Sequence, residues 1–255
     1  MPGADEPKSP PLRTFGRRKG RPLRAGWDQL LKERLPALSV DLSGDAPLDP
    51  RTLFAQRREA IWLEIGFGAG EHLAWQAEHN PKVGFLGAEV FVNGVASLLR
   101  HVNERQLDNI RIHADDARPL LERLAPGSIA RLFLLFPDPW PKARHSGRRF
   151  IQKETLDLLA RVLQPGGELR VASDDPGYVA WSLAHFMRHP AFCWTARRPQ
   201  DWRQRPDDWP QTRYEAKARQ AGRRPAFLIF RRRPTTGRFG ADAPSLVRSA
   251  DTPPP

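Results

Sequence analysis

Ala60-Ile-Trp-Leu-Glu64-Ile65-Gly66-Phe-Gly68-Ala-Gly70 is the stretch on which the reading of the fold turns. Six mostly apolar residues run into three glycines at alternate positions, and residues 70–79 then take on a helical pattern that Pro81 stops. A strand, a glycine turn and a helix in that order open a strand–helix–strand unit. Glycine at such a turn permits a tight bend and lets a ligand approach the backbone closely.

Outward from this stretch the alternation repeats. Residues 83–88, 110–113, 129–136, 168–173 and 226–230 read as strands, the run from Ile129 to Phe136 being the most apolar and so predicted to be central and covered on both faces. Residues 91–105 place Phe91, Val95, Leu98, Leu99 and Val102 close to helical spacing. Helices are also predicted over 118–124, over 151–163 with a stop at Gln164-Pro-Gly-Gly167, and over 177–187. There is no internal repeat. The pattern predicts an α/β fold with a doubly wound, mostly parallel sheet, in which ligands bind outside the carboxyl ends of the strands.

Composition bounds the rest. The chain of 255 residues suits one α/β domain with extensions or two small domains. Its single cysteine, Cys193, excludes an intramolecular disulfide and argues against a cysteine-based zinc site; set in an apolar run, it is expected to be a buried small residue. No metal site is expected, because the seven histidines show no ligand spacing. No stretch approaches the ~18 apolar residues of a membrane span, and the first 26 residues have no apolar segment of a secretory signal, so no membrane partner and a cytoplasmic location are expected. The net charge of +12 lies in two blocks, net +5 over residues 1–26 and net +8 over 195–233, flanking a nearly neutral body. Polyanions are the expected partners of such blocks. Residues 1–26 read as a flexible basic arm, 27–233 as a single domain and 234–255 as a disordered Pro-, Ala- and Ser-rich tail.

The residues just after each strand carry the chemistry. A dinucleotide fingerprint would need glycine where Glu71 stands, and no Lys-Ser/Thr pair follows, so neither a nicotinamide motif nor a phosphate loop is met. Instead an acid stands near each strand end: Glu64, then Glu89 twenty-five residues on, then Asp115-Asp116. A carboxylate at Glu89 can accept both hydroxyls of a ribose. Of the two, Asp115 can cap the following helix, and Asp116 stands directly before Ala117. After the fourth strand comes Phe136-Pro-Asp138-Pro-Trp140-Pro-Lys142, followed by Ala-Arg144-His145-Ser146-Gly147-Arg148-Arg149. Three prolines fix φ three times and remove three donors, which makes a stiff loop holding Asp138 beside an aromatic ring and a basic cluster.

The Glu-x-Gly-x-Gly-x-Gly turn resembles the first motif of Rossmann-like class I methyltransferases that use S-adenosylmethionine. With the Phe136–Arg149 segment, the chain resembles the bacterial tRNA (guanine-N7-)-methyltransferase family. Val171-Ala-Ser173-Asp174 is similar to that family's Thr-Asp element with serine for threonine, Thr212-Arg213-Tyr214-Glu215 to its late Thr-x-Tyr/Phe-Glu segment, and Phe15-Gly-Arg-Arg-Lys-Gly20 to its basic arm. The resemblance implies a sheet with an antiparallel last strand and methyl transfer from S-adenosylmethionine to N7 of a guanine in tRNA, in the variable loop. It implies cofactor contacts at Glu64, Gly66, Gly68, Glu89, Asp116 and Asp138, with Asp116 favoured over Asp115 for an adenine amino group and Asp138 also catalytic. Substrate contacts fall at Lys142, Asp174 and Thr212 to Glu215, and RNA contacts at Arg144, His145, Ser146, Gly147, Arg148 and Arg149. Tyr214, Trp140, Trp202 or Trp209 can stack on a base, although Trp202 and Trp209 are equally suited to covering the core. A monomer and a homodimer are both compatible with it. A methyltransferase acting on another RNA and a non-catalytic RNA-binding module are the competing readings; the second leaves the row of acids without a reason.

Overall fold

Alternation along the first strand sets both layers of the molecule. β1 (Ala60–Ile65) sends Ile61, Leu63 and Ile65 to one face, and Trp62 and Glu64 to the other. In the computed structural model, which describes residues 14–23 and 25–234, this strand is the third of a seven-stranded sheet. The others are β2 (Val83–Ala88), β3 (Ile110–His113), β4 (Ile129–Leu135), β5 (Leu163–Ser173), β6 (Phe192–Trp194) and β7 (Ala226–Arg232). Their order is β3-β2-β1-β4-β5-β7-β6; the first five are parallel, β7 is antiparallel to β5, and β6 is antiparallel to β7. The chain winds outward from β1 through β2 to β3, then returns to β4 on the other side. The crevice between the carboxyl ends of β1 and β4 is therefore the switch point.

The helices are α1 (Ala25–Leu38), α2 (Glu71–His79), α3 (Val92–Glu104), α4 (Ala117–Arg123), α5 (Lys153–Val162), α6 (Pro176–Arg188), α7 (Gln200–Arg203) and α8 (Arg213–Gln220). Leu120 and Leu121 of α4, Leu156 and Leu159 of α5, and Phe186 of α6 bury one face of the sheet. Leu38 of α1, Leu73 and Ala77 of α2, and Val95, Leu98 and Leu99 of α3 bury the other. On that second face, under β4, β5 and β7, Phe133, Ala172 and Phe227 pack against Trp209, itself 1% exposed. Truncating a ring as enclosed as Phe133 costs about 3–5 kcal/mol.

The predicted strands and long helices stand within a few residues of their expected limits. β5 starts earlier than expected, because Leu163 already pairs with Ile129 before the register shifts at Ile129/Arg131. α5 is correspondingly shorter, opened by a reciprocal cap in which the Gln152 N–H donates to Thr155 Oγ1. α1, α7, α8 and β6 were not expected: α7 and β6 are four and three residues long, and α8 is largely polar. Cys193, expected to be buried, is half-buried on edge strand β6; an outer strand has neighbours on one side only. Residues 1–13 and Arg24 of the expected arm, and 235–255 of the expected tail, lie outside the described residues. Among the described residues, no helix is long and apolar enough to cross a membrane, and no group of three or more His, Cys, Asp or Glu is placed to hold a metal.

Candidate active site

A cleft of about 330 Å³ opens at the switch point, a volume within the range of small-molecule sites. Its floor is the glycine turn. Gly66, Gly68 and Gly70 have φ of 72°, 59° and 82°, a left-handed run that side chains with a Cβ adopt only under strain. At Gly66 a Cβ would meet nothing within 4 Å, so bare backbone faces the cleft. Gly94 of α3 makes the turn possible from behind, since a Cβ there would lie 2.1 Å from the Gly68 carbonyl oxygen.

The walls carry acids. Glu89, at the end of β2 and only 9% exposed, accepts the Gly68 N–H at 2.7 Å on one oxygen and the Phe91 N–H at 2.9 Å on the other. Each oxygen keeps one lone pair for the cleft. Burial raises the Glu89 carboxyl above its ordinary value, the backbone N–H groups of Phe91, Gly68 and Val90 oppose that rise, and the nearby Asp138 adds to it. Asp115 pairs with Arg18 at 2.8 Å. Burial works against ionisation of Asp115, but the Asp116 N–H and Arg18 outweigh it and hold the carboxyl below its usual range. The cap of α4 is Asp116, not Asp115: its carboxylate accepts the Arg118 N–H, the Arg118 guanidinium at 3.0 Å and the Thr14 N–H at 2.7 Å. Its acceptor directions are thus all engaged.

Asp138 is exposed at the cleft mouth, on the loop that follows β4. Phe136 and Trp140, on either side of the Pro-Asp-Pro triplet, have φ of 51° and 41°. Arg148 lies over both the Trp140 ring, at 5.0 Å, and the Phe15 ring, at 5.1 Å. Tyr214, 44% exposed, stacks beside Phe136 with the rings 20° apart and 6.3 Å between centroids.

The cleft therefore gathers Gly66, Gly68, Glu89, Asp116, Asp138, Arg148 and Tyr214. Glu64 is not among its lining residues. Its carboxylate, 2% exposed, bonds His72 Nδ1 at 2.7 Å beneath α2, and Gln76 bridges His72 to the Asp208 carbonyl. Period-two geometry explains this: Glu64 shares the α2 face with Trp62, while Ile65 and Gly66 reach the cleft. Arg149 is also turned inward, buried and bonded to the Pro139 and Trp140 carbonyls. Lys142, Arg144 and Gly147 are exposed, and His145 and Ser146 half-exposed, on the segment that follows the loop, and none of the five lines the cleft. Asp174 pairs with Arg223 away from the cleft. Thr212 caps α8 by accepting the Glu215 N–H, and the buried Glu215 carboxylate sits against Arg205 and Arg219; together they pin the turn from which Arg213 and Tyr214 project. Trp209 is core, and Trp202 packs partly buried against it.

Sequence reasoning placed no site residue in the arm, yet Thr14, Phe15, Gly16 and Arg17 line the cleft. The arm is held by the Arg18 carbonyl accepting the Val92 N–H and by Asn93, which bonds the Gly20 N–H and the Arg21 carbonyl. The available signal was the Phe-Gly-Arg-Arg-Lys-Gly string itself.

Residues 58–228 match a family model described as "Putative methyltransferase". A tRNA (guanine-N(7)-)-methyltransferase of Rhodospirillum rubrum is 56% identical over 238 residues, covering 91% of this chain and 93% of that protein. Another, of Paramagnetospirillum magneticum, is 54% identical over 226 residues, covering 87% and 93%. Among solved structures, an rRNA methylase from Streptococcus thermophilus superposes with a TM-score of 0.48 at 14% identity, over 69% of this chain and 88% of that one, a likeness too distant to bear on function.

Proposed function

Because this chain belongs to the tRNA (guanine-N(7)-)-methyltransferase family, we propose that it methylates N7 of a guanine in tRNA, in the variable loop. The reaction is an enzymatic methyl transfer from S-adenosylmethionine, with tRNA as substrate. Residues 27–233 make up the catalytic domain and 1–26 the basic arm. The observation that carries the reading is the acid-walled cleft at the switch point, closed on one side by the Asp138 loop and rimmed by basic residues.

The cleft fits the cofactor. Gly66 leaves its backbone open to it, Glu89 keeps two free acceptor directions for ribose hydroxyls, and Asp116 faces the adenine end. When bound, the cofactor supplies an electrophilic methyl group on a sulfonium. Guanine N7 already carries an in-plane lone pair, so no residue has to remove a proton before attack. What the chain must do is align two partners and stabilise the positive charge that grows on the purine. Asp138, exposed at the mouth and, among the described residues, without a backbone donor to its carboxylate, serves as an orienting and electrostatic group. Tyr214 offers its face to the base. Lys142, Arg144 and Arg148 bind phosphates on the rim, while Thr212 and Glu215 set the substrate-binding turn and Asp174, paired with Arg223, contacts substrate outside the cleft. Guanine N7 lies in the deep groove of A-form RNA, so the base is presented by tertiary shape or local opening.

The deciding assay is transfer of labelled methyl from S-adenosylmethionine to unmodified tRNA, followed by borohydride–aniline cleavage to map N7-methylguanine. Cleavage in the variable loop is expected. Incorporation without cleavage refutes the N7 assignment, and no incorporation refutes the enzyme.

A further inference from the structure

The loop that presents Asp138 cannot hold itself. Prolines at 137, 139 and 141 supply no backbone N–H, so the loop's carbonyls have few local donors. Phe136 and Trp140 nevertheless adopt left-handed backbone angles, which bulky residues keep only when their surroundings over-determine them. The start of the loop is anchored by the Phe136 N–H donating to the Ala172 carbonyl at 2.8 Å. Among the described residues, the side-chain hydrogen bonds to the carbonyls of its middle come from Arg149. Arg149, 9% exposed, donates from Nε to the Pro139 carbonyl at 2.9 Å and from Nη2 to the Trp140 carbonyl at 3.2 Å. Its guanidinium lies over the Trp181 ring at 4.6 Å, and that indole is fixed in turn by Nε1 donating to the Ile151 carbonyl at 2.7 Å. Arg148, next in the chain, faces the opposite way, over Trp140 and Phe15 on the cleft side.

We propose that Arg149 is a positioning residue: a buried fork that sets the Pro-Asp-Pro-Trp loop, and through it Asp138, rather than a contact to RNA phosphate. The planar guanidinium reaches the carbonyls of two successive residues while stacking on an aromatic plate; a lysine ammonium is a point donor and cannot do all three. The inference rests on the methyl-transfer reading above and deepens it, because it assigns adjacent arginines to different tasks.

The test pairs two substitutions in the full-length protein. Arg149→Lys keeps the charge and loses the fork, whereas Arg149→Met loses both. A positioning residue predicts that each lowers kcat by about 10- to 100-fold at saturating S-adenosylmethionine and tRNA. It also predicts that tRNA affinity and the slope of log Kd against log salt stay at wild-type values. A phosphate contact predicts the reverse: Arg149→Lys keeps its activity, while Arg149→Met weakens tRNA binding and flattens the slope by roughly 0.7–0.9; that pattern overturns the proposal. Should either variant fail to fold, Trp181→Leu removes the plate under the guanidinium and is expected to lower kcat with tRNA affinity unchanged, and wild-type kcat in that variant overturns it equally. Wild-type methyl transfer run alongside separates the outcomes, since its absence refutes the enzymatic reading and not the brace.

Discussion

Gly94→Ala should destabilise this protein although alanine is the better helix former. Gly94 lies in the first turn of α3, where propensity alone predicts a gain of about 1 kcal/mol. The added Cβ would stand 2.1 Å from the Gly68 oxygen and 3.0 Å from its carbonyl carbon. Carbon–oxygen contacts settle near 3.3 Å, so the glycine turn must recede by about an ångström. That displacement strains the turn and pulls the Gly68 N–H from Glu89, a bond of 2.7 Å to a carboxylate. Overpacking costs about 1–3 kcal/mol, and a hydrogen bond to a charged acceptor contributes about 1.5–3. Set against the propensity gain, the net loss is about 1.5–5 kcal/mol, a fall in Tm of roughly 3–20 °C for a domain of this size. Because the displaced atoms floor the cleft, S-adenosylmethionine affinity should fall about tenfold or more. Urea denaturation and titration calorimetry measure the two effects. Gly26→Ala is the control, its Cβ meeting nothing within 4 Å in α1, and it should be neutral or mildly stabilising. A Gly94→Ala protein with wild-type stability and wild-type cofactor affinity would show that the turn does not rest on α3 as described.

Other outcomes follow from the same geometry. Asp138→Ala should keep the fold and lower single-turnover methyl transfer by about 100-fold or more; wild-type turnover on saturating tRNA would remove Asp138 from the mechanism. Because burial raises the Glu89 carboxyl, cofactor binding that needs its ionised form should weaken with falling pH earlier than an ordinary glutamate would dictate. For stability the sign is opposite: the folded state holds this proton more tightly, so the contribution falls as pH rises from the ordinary 4.5 through the raised value. Calorimetry of wild type and Glu89→Gln across this window should show the pH-dependent part of binding vanish in the variant, and an unchanged profile would shift the titration to another group. Tyr214→Ala should lose about 1–3 kcal/mol of transition-state binding for tRNA with Tyr214→Phe close to wild type, so an equal loss in both in kcat/KM would point to the hydroxyl instead.

Much of the fold was legible because the strands of this sheet are short apolar runs punctuated by glycine, proline and acids. β1 to β4 begin where the sequence places them, since nothing long-range competes with those patterns. The elements missed are those whose reason lies elsewhere in the molecule. β6 is a strand only because β7 runs beside it. α8 is polar, and is held by its Thr212 cap and by Glu215 between two arginines. The site divides in the same way. Glu89 and Asp138 stand where the ends of β2 and β4 put them. Glu64, one residue before the end of β1, falls on the other face of the pleat and meets His72.

Residue types and their spacing along the chain were enough to predict a doubly wound, mostly parallel sheet, the glycine turn after its first strand and a row of acids with basic flanks. These depend on local periodicity and on chain direction, which a sequence carries in full. Which carboxylate caps α4 and which pairs with the arm, whether a strand-end acid faces cleft or core, and which of two neighbouring arginines looks outward were decided only in three dimensions. Each depends on side chains brought together from distant segments: Thr14 at Asp116, Arg18 at Asp115, Trp181 beneath Arg149. Adjacent residues of one type are indistinguishable in a string; the burial of one and the exposure of the other give them different chemistry.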